Sequence, residues 1–249
     1  MRLVLLFVVA LAIVVGGGLA LVHFVFTEES VRTHAVAGTV RQIVVRDGSG
    51  NVRLVPSGRR VSVRETRHYV FSKPTYRQRV KDGVLTIDSD CDGFAFECSA
   101  DLRVTVPSGI DVVVAADSGD VHADRIAVRS AHLQSGSGNV GVALTGRQRL
   151  VWAYTDSGDV RVDAANAAAI EGRTSSGDVS IDAAGGGLRR VVAVTNSGDV
   201  DVAVPGGDWA LDTSTGSGHV DVHGIGRDDH APRSIDAKTD SGDVTVRAR

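Results

Sequence analysis

Aromatic side chains are scarce in this sequence, at 4% of 249 residues. So few rings argue against a surface that stacks on bases or sugars. Neither charge sign is in excess: Lys plus Arg number 27 and Asp plus Glu 30, for a formal net charge of −3. A general nucleic-acid binder carries a basic surplus, so no nucleic-acid partner is expected. There are two cysteines, Cys91 and Cys98, and they do not form a Cys-x-x-Cys motif. The pair reads as a local disulfide in an oxidising compartment rather than as a redox or metal centre.

One long apolar run is present. Leu3 to Phe26 holds 24 residues without a charged side chain. As a helix rising about 1.5 Å per residue it reaches about 36 Å, enough for a hydrocarbon core of about 30 Å. Arg2 precedes the run and Glu28 and Glu29 follow it. That asymmetry keeps the amino end in the cytoplasm and places the remainder outside the cell membrane. A cleaved signal peptide is the alternative, but the small-x-small site Ala35-Val36-Ala37 lies well past the run. The expected division is a membrane anchor over 1–29, a linker over 30–39 and one repeat domain over 40–249.

Glycine, by contrast, is plentiful and periodic. A Ser-Gly-(Asp/Asn/His)-Val tetrad recurs with its glycines at Gly50, Gly119, Gly138, Gly158, Gly177, Gly198, Gly218 and Gly242. From Gly119 onward the steps are 19, 20, 19, 21, 20 and 24 residues. Apolar residues alternate on both sides of each tetrad, as in Val151, Ala153 and Thr155 before Gly158 and Val160 and Val162 after it. A period of two marks strands with one buried face. Each unit therefore reads as strand, tight corner, strand and return loop. One unit cannot bury its own face, but stacked units can. The fold class predicted is all-β: a single-stranded parallel β-helix or solenoid with coils of about 20 residues, preceded by one transmembrane helix. The tetrad-free stretch between Gly50 and Gly119 has room for about three larger coils at 20 to 25 residues each. The segment from His68 to Gln78 is expected to cover an end or side of the rod.

The corner itself has a structural explanation. Glycine takes positive φ without a Cβ clash, and Ser and Asp side chains accept nearby backbone N–H groups. Stacking also places Asp159, Asp178 and Asp199 in one column, continued by Asn139, His219 and Asp243, with Asp156 in a second column alongside. Carboxylates about 5 Å apart repel by about 3 kcal/mol at an effective dielectric of 20. Turn N–H groups, arginines or bound calcium must offset this. Asp159, Asp178, Asp199 and Asp156 are accordingly the candidate calcium ligands. Asp88, Asp90, Asp92 and Gly93 open like a calcium loop, but Ser99 stands where the bidentate Glu belongs, so an acidic turn is expected there. Gly136, Gly138 and Gly141 spell G-x-G-x-x-G but lead into a strand, which fails the context of a dinucleotide site. Trp152 and Tyr154 flank the inward Ala153. They and Trp209 are either binding anchors or covered by neighbouring coils. The serines recur in equivalent corners, whereas catalysis requires one specially organised site. No catalytic residue is assigned and no cofactor beyond calcium.

The recurring T-x-S-G-D-V-x-V of Thr155–Val162, Thr174–Ile181 and Thr195–Val202, together with the first Gly-Ser-Gly-Asn-Val copy, resembles the bacterial β-strand-repeat "putative adhesin" family, a domain of unknown function. The resemblance covers roughly 40–249. It implies a β-helix-like solenoid on the cell envelope and carries no catalytic residues. The function expected is a non-enzymatic envelope protein whose rigid surface serves adhesion, sensing or docking of an envelope protein or polysaccharide. A calcium-stabilised structural module and a β-helix enzyme acting on polysaccharide are the alternatives.

Overall fold

Like side chains pair with like along the whole repeat. In the computed structural model, Val160 lies opposite Val179, Val179 opposite Val200, and Val200 opposite Val244. On the other sheet Val151 lies opposite Ile170, Ile170 opposite Val191, and Val191 opposite Ile235. All eight of these side chains belong to the hydrophobic core, and each is at most 1% exposed. Fully burying one such side chain is worth about 1.5–3 kcal/mol. The pairs propagate as two eleven-stranded sheets, of which nine strands each belong to stacked rungs. Adjacent rungs lie about 4.8 Å apart, and the two sheets enclose a continuous aliphatic bore.

The structure describes residues 28–70, 72–91 and 98–249. The apolar run Leu3–Phe26 lies outside these residues. Among the described residues, no helix is long and apolar enough to cross a membrane.

Rung order along the rod departs from chain order at both ends. The rung of Gly50, built from Gln42–Ser49 and Val52–Pro56, stacks directly on the rung of Gly119, built from Asp111–Ser118 and Val121–Ile126. Residues between those two rungs do not form the three intervening coils expected from the spacing. Instead Val84–Asp90 and Cys98–Val106 make one rung on the outer side of the Gly50 rung. At the opposite end, Ser234–Ser241 and Val244–Ala248 insert between Arg190–Ser197 with Val200–Val204 and Gly207–Ser217 with Val220–His223. The column order expected from sequence, with Gly218 before Gly242, is therefore reversed in space.

The amino-terminal end is closed by antiparallel strands. Glu28–Ala35 pairs with Ser62–Tyr69, which pairs with Cys98–Val106. Thr75–Lys81 pairs with Val84–Asp90 on the other sheet. The stretch 30–39, expected as a linker, thus contributes a strand of this cap. Of the segment His68 to Gln78, the described residues at its two ends belong to the cap strands Ser62–Tyr69 and Thr75–Lys81, at the rod end. His34 from one sheet stacks on Tyr76 from the other at 4.1 Å, closing the mouth of the bore. Beneath them the fully buried Glu65 accepts bonds from Arg67 at 2.5 and 3.0 Å and meets His34 at 3.0 Å. A disulfide joins Cys91 to Cys98, with an S–S distance of 2.03 Å.

Candidate functional site: the tetrad edge

Every tetrad glycine lies in the left-handed region, from φ +103° at Gly119 to +149° at Gly218. A second constraint acts on the same atom. A Cβ on Gly177 would stand 2.2 Å from the Gly158 carbonyl oxygen, and one on Gly158 2.4 Å from that of Gly138. The corners are nested so closely that glycine is required for inter-rung approach as well as for the turn. Only the first reason follows from reading one unit by itself.

The residue after each glycine links its rung to the next. The Oδ1 of Asp159 accepts the backbone N–H of Asp178 at 2.9 Å, and Asp178 accepts that of Asp199 at 2.8 Å. The chain of bonds runs on from Asp199 to Asp243 and from Asp243 to His219. In the other direction Asn139, Asp120, Asn51 and Asp101 complete it, each bond measuring 2.8–2.9 Å. Backbone N–H groups therefore meet the carboxylates, which reduces the repulsion expected within the column. Asn serves as well as Asp because both present a side-chain carbonyl-type oxygen. His219 has none and stands on the last rung, where no further N–H awaits an acceptor.

Just inside this column runs a second one. The hydroxyls of Ser135, Thr155, Thr174 and Thr195 donate to the glycine carbonyls of Gly119, Gly138, Gly158 and Gly177 at 2.7–2.9 Å. Thr239 and Thr215 do the same to Gly198 and Gly242. The sequence shows these residues as inward-facing; their role as inter-rung donors appears only once rungs are stacked.

Asp47 occupies this hydroxyl position on the Gly50 rung, opposite Ala116. It is 3% exposed and neither carboxyl oxygen has a hydrogen-bond partner. Burial pushes its carboxyl up to about 7; a nearby Ser89 hydroxyl acts against this, and Asp101, Asp90 and Asp117 push further upward. Sequence reading missed Asp47. The signal was its position three residues before a tetrad glycine, where other units carry Thr, Ser or Ala.

Asp156 does not join the Asp159 column; it accepts the Tyr154 hydroxyl. Among the described residues, no three His, Cys, Asp or Glu side chains converge as a metal-binding group. Asp88 pairs with Arg46 at 3.2 Å, while Asp92 and Gly93 lie outside the described residues. The outer-face aromatics cover one another: Trp152 stacks on His132 at 3.8 Å and on Tyr154 at 5.6 Å. Burial holds the His132 pKa below the usual histidine value, against an upward pull from Glu171. Trp209 is not a surface anchor. It is fully buried, donates Nε1 to the Pro205 carbonyl at 3.1 Å and lies under the Arg233 guanidinium.

The family model described as Toastrack DUF4097 matches residues 38–247. The chain belongs to the Toastrack DUF4097 family. Several solved structures are similar to this chain at low identity. One from Bacteroides fragilis, described as a "putative adhesin", is 16% identical with a TM-score of 0.50, covering 89% of this chain and 97% of that one. One from Parabacteroides merdae with the same description is 13% identical with a TM-score of 0.48, covering 89% and 96%. One from Clostridium sporogenes, described as a "putative cell adhesion protein", is 11% identical with a TM-score of 0.44, covering 90% and 100%. At 16% identity the first is a likeness of fold alone. No curated protein matches this chain.

Proposed function

We propose that this Toastrack protein is a non-enzymatic envelope rod, tethered by a membrane anchor over 1–29 and presenting a rigid extracytoplasmic surface for adhesion or docking. One observation carries the reading. The most repeated chemistry of the chain, the Ser/Thr hydroxyls and Asx oxygens of the tetrads, is spent on bonds between rungs. What repetition has built is stiffness and length rather than a single organised reactive site. The uncharged Leu3–Phe26 run and the Arg2 and Glu28 flanks support the tether and its orientation. The test is protease treatment of intact cells expressing the full chain, followed by co-sedimentation of the purified full chain with envelope material. Digestion of the rod on intact cells, together with saturable sedimentation, is the expected result. A protected rod that stays in solution overturns the proposal.

A further inference from the structure

The two ends of the rod are finished differently. At the amino-terminal end the antiparallel strands Glu28–Ala35, Ser62–Tyr69 and Thr75–Lys81 cover the bore, and the last of these exposes Arg77, Arg79 and Lys81. Charges on an edge strand keep other strands from pairing with it. At the other end nothing comparable is present among the described residues. The last rung, Gly207–Ser217 with Val220–His223, has a neighbour on its outer side only along 207–209, where Ile225–Arg227 pairs with it. The edge 210–217 and the strand Val220–His223 carry no outer strand and contain no Lys, Arg or Pro.

The bore is open at this end as well. Leu211, Thr213, Thr215 and Val222 are half-buried and Val220 is 38% exposed. Their counterparts one rung further in, Ile235, Ala237, Thr239, Val246 and Val244, are at most 4% exposed. A repeat array needs a terminal unit that shields its core, and this chain supplies one at a single end.

What covers the open end follows from what a rung fits. Every contact along the stacked repeats lays one rung on another with apolar side chains in register. The last rung of a second copy therefore has the matching width, sheet separation and bore, whereas the capped end of that copy has none of these. The two strands of a rung run in opposite directions. A two-fold axis along the strands thus lays Val220–His223 of one copy antiparallel to the 210–217 edge of the other, corner over corner. In that register Val220 and Val222 meet Thr215 and Thr213 of the second copy, and His223 comes opposite its Asp212. The Thr215 hydroxyl is already bonded to the Gly242 carbonyl. Ile225–Arg227 stands clear of the contact, since it covers only 207–209. The 210–217 edge at about 3.3 Å per residue, and sheets about 10 Å apart with side chains outside them, make a tip of about 26 Å by about 20 Å. Two such tips bury about 1,000 Å² in all, the lower limit for a specific contact.

We infer that the open end docks a second copy of this chain, tip to tip across a two-fold axis, with the two copies standing on facing membranes. The contact is isologous and closes on itself, so it gives a dimer and not a fibre. The chain enters the rod at Glu28, in the cap, which puts the open tip at the end away from the tether. A contact of this size is weak singly and gains strength from many copies side by side on apposed surfaces. The inference rests on the adhesive role proposed above and names its partner.

The test uses the purified full chain, in detergent and reconstituted in phosphatidylcholine vesicles. Sedimentation equilibrium should show monomers and dimers and nothing larger. Vesicles carrying the chain should cluster with one another and not with protein-free vesicles. Val220→Lys puts a charge at an exposed site and should weaken dimerisation at least about tenfold, as expected for a charge buried without a partner. It should also abolish clustering while leaving the melting temperature unchanged. His223→Glu sets carboxylates opposite each other and should weaken the dimer too, and adding Asp212→Asn should restore it. Val31→Lys, at a site 45% exposed on the capped end, should change nothing. Monomers alone with dispersed vesicles, dimers or clusters that Val220→Lys leaves intact, or clustering with protein-free vesicles overturns the inference. Saturable sedimentation with envelope material from cells lacking this protein, alongside monomers alone, would sink the tip contact and leave the docking role standing; loss of both removes both.

Discussion

The Oδ1 of Asp178 accepts the backbone N–H of Asp199 from the adjacent rung at 2.8 Å. This bond needs an oxygen on a short side chain and does not need a charge, since Asn139 and Asn51 fill the same role. Asp178→Asn should therefore keep stability within about 0.5 kcal/mol of wild type, while Asp178→Ala should lose about 1 kcal/mol. Urea denaturation of the three proteins checks this. Equal losses in both variants would show that charge, not the shared bond, is what the column supplies.

A parallel contrast applies to glycine. Gly158 combines φ +137° with a prospective Cβ 2.4 Å from the Gly138 oxygen. Gly158→Ala should cost more than about 3 kcal/mol, since strained backbone and steric overlap add. Gly186→Ala, where the new Cβ meets nothing, should stay within about 0.5 kcal/mol. Thermal and chemical melts of both variants provide the comparison.

Asp47 should make stability pH-dependent. Its folded-state pKa of about 7 lies above the ordinary value of 3.8. A raised folded pKa means the folded state holds the proton more tightly, so this contribution is complete below about pH 4 and is lost as pH rises through 7. At 1.4 kcal/mol per decade the full loss is roughly 4 kcal/mol. Asp47→Thr places a hydroxyl where the other rungs have one, and should flatten the pH profile between 4 and 8 while raising stability at pH 8. A profile identical to wild type would clear Asp47 of this role.

Calcium should leave the melting temperature unchanged. The Oδ1 atoms of Asp159, Asp178 and Asp199 are already occupied by backbone N–H groups. A site filled at one hundred times its dissociation constant would add about 2.7 kcal/mol, a shift that calorimetry with and without chelator would register.

Much of the scaffold was legible because its physics is local and repeated. Val160 and Val162 announce an inward face wherever the tetrad recurs, and Gly158 announces its corner. Rung order was not legible, because the Gly218 and Gly242 tetrads are chemically interchangeable and nothing in either says which is outermost. Thr213, set where inner rungs carry Ala193 or Ala237, was the available hint: a polar group in the bore is tolerable only near an open end, and there it is only half-buried. The amino-terminal cap was indicated only loosely, since pairing of Glu28–Ala35 with Ser62–Tyr69 is a long-range choice that no local pattern encodes.

The interleaved ends constrain how the rod can be wound. Residues 234–248 sit between two rungs that both precede them in the chain. A polypeptide emerging in order cannot simply coil turn upon turn. The 207–223 segment must stand off, or part again, until the later segment has slipped into place. Completion is thereby tied to delivery of the entire repeat, and a chain interrupted before residue 234 would be left with a slot that only its own missing piece matches.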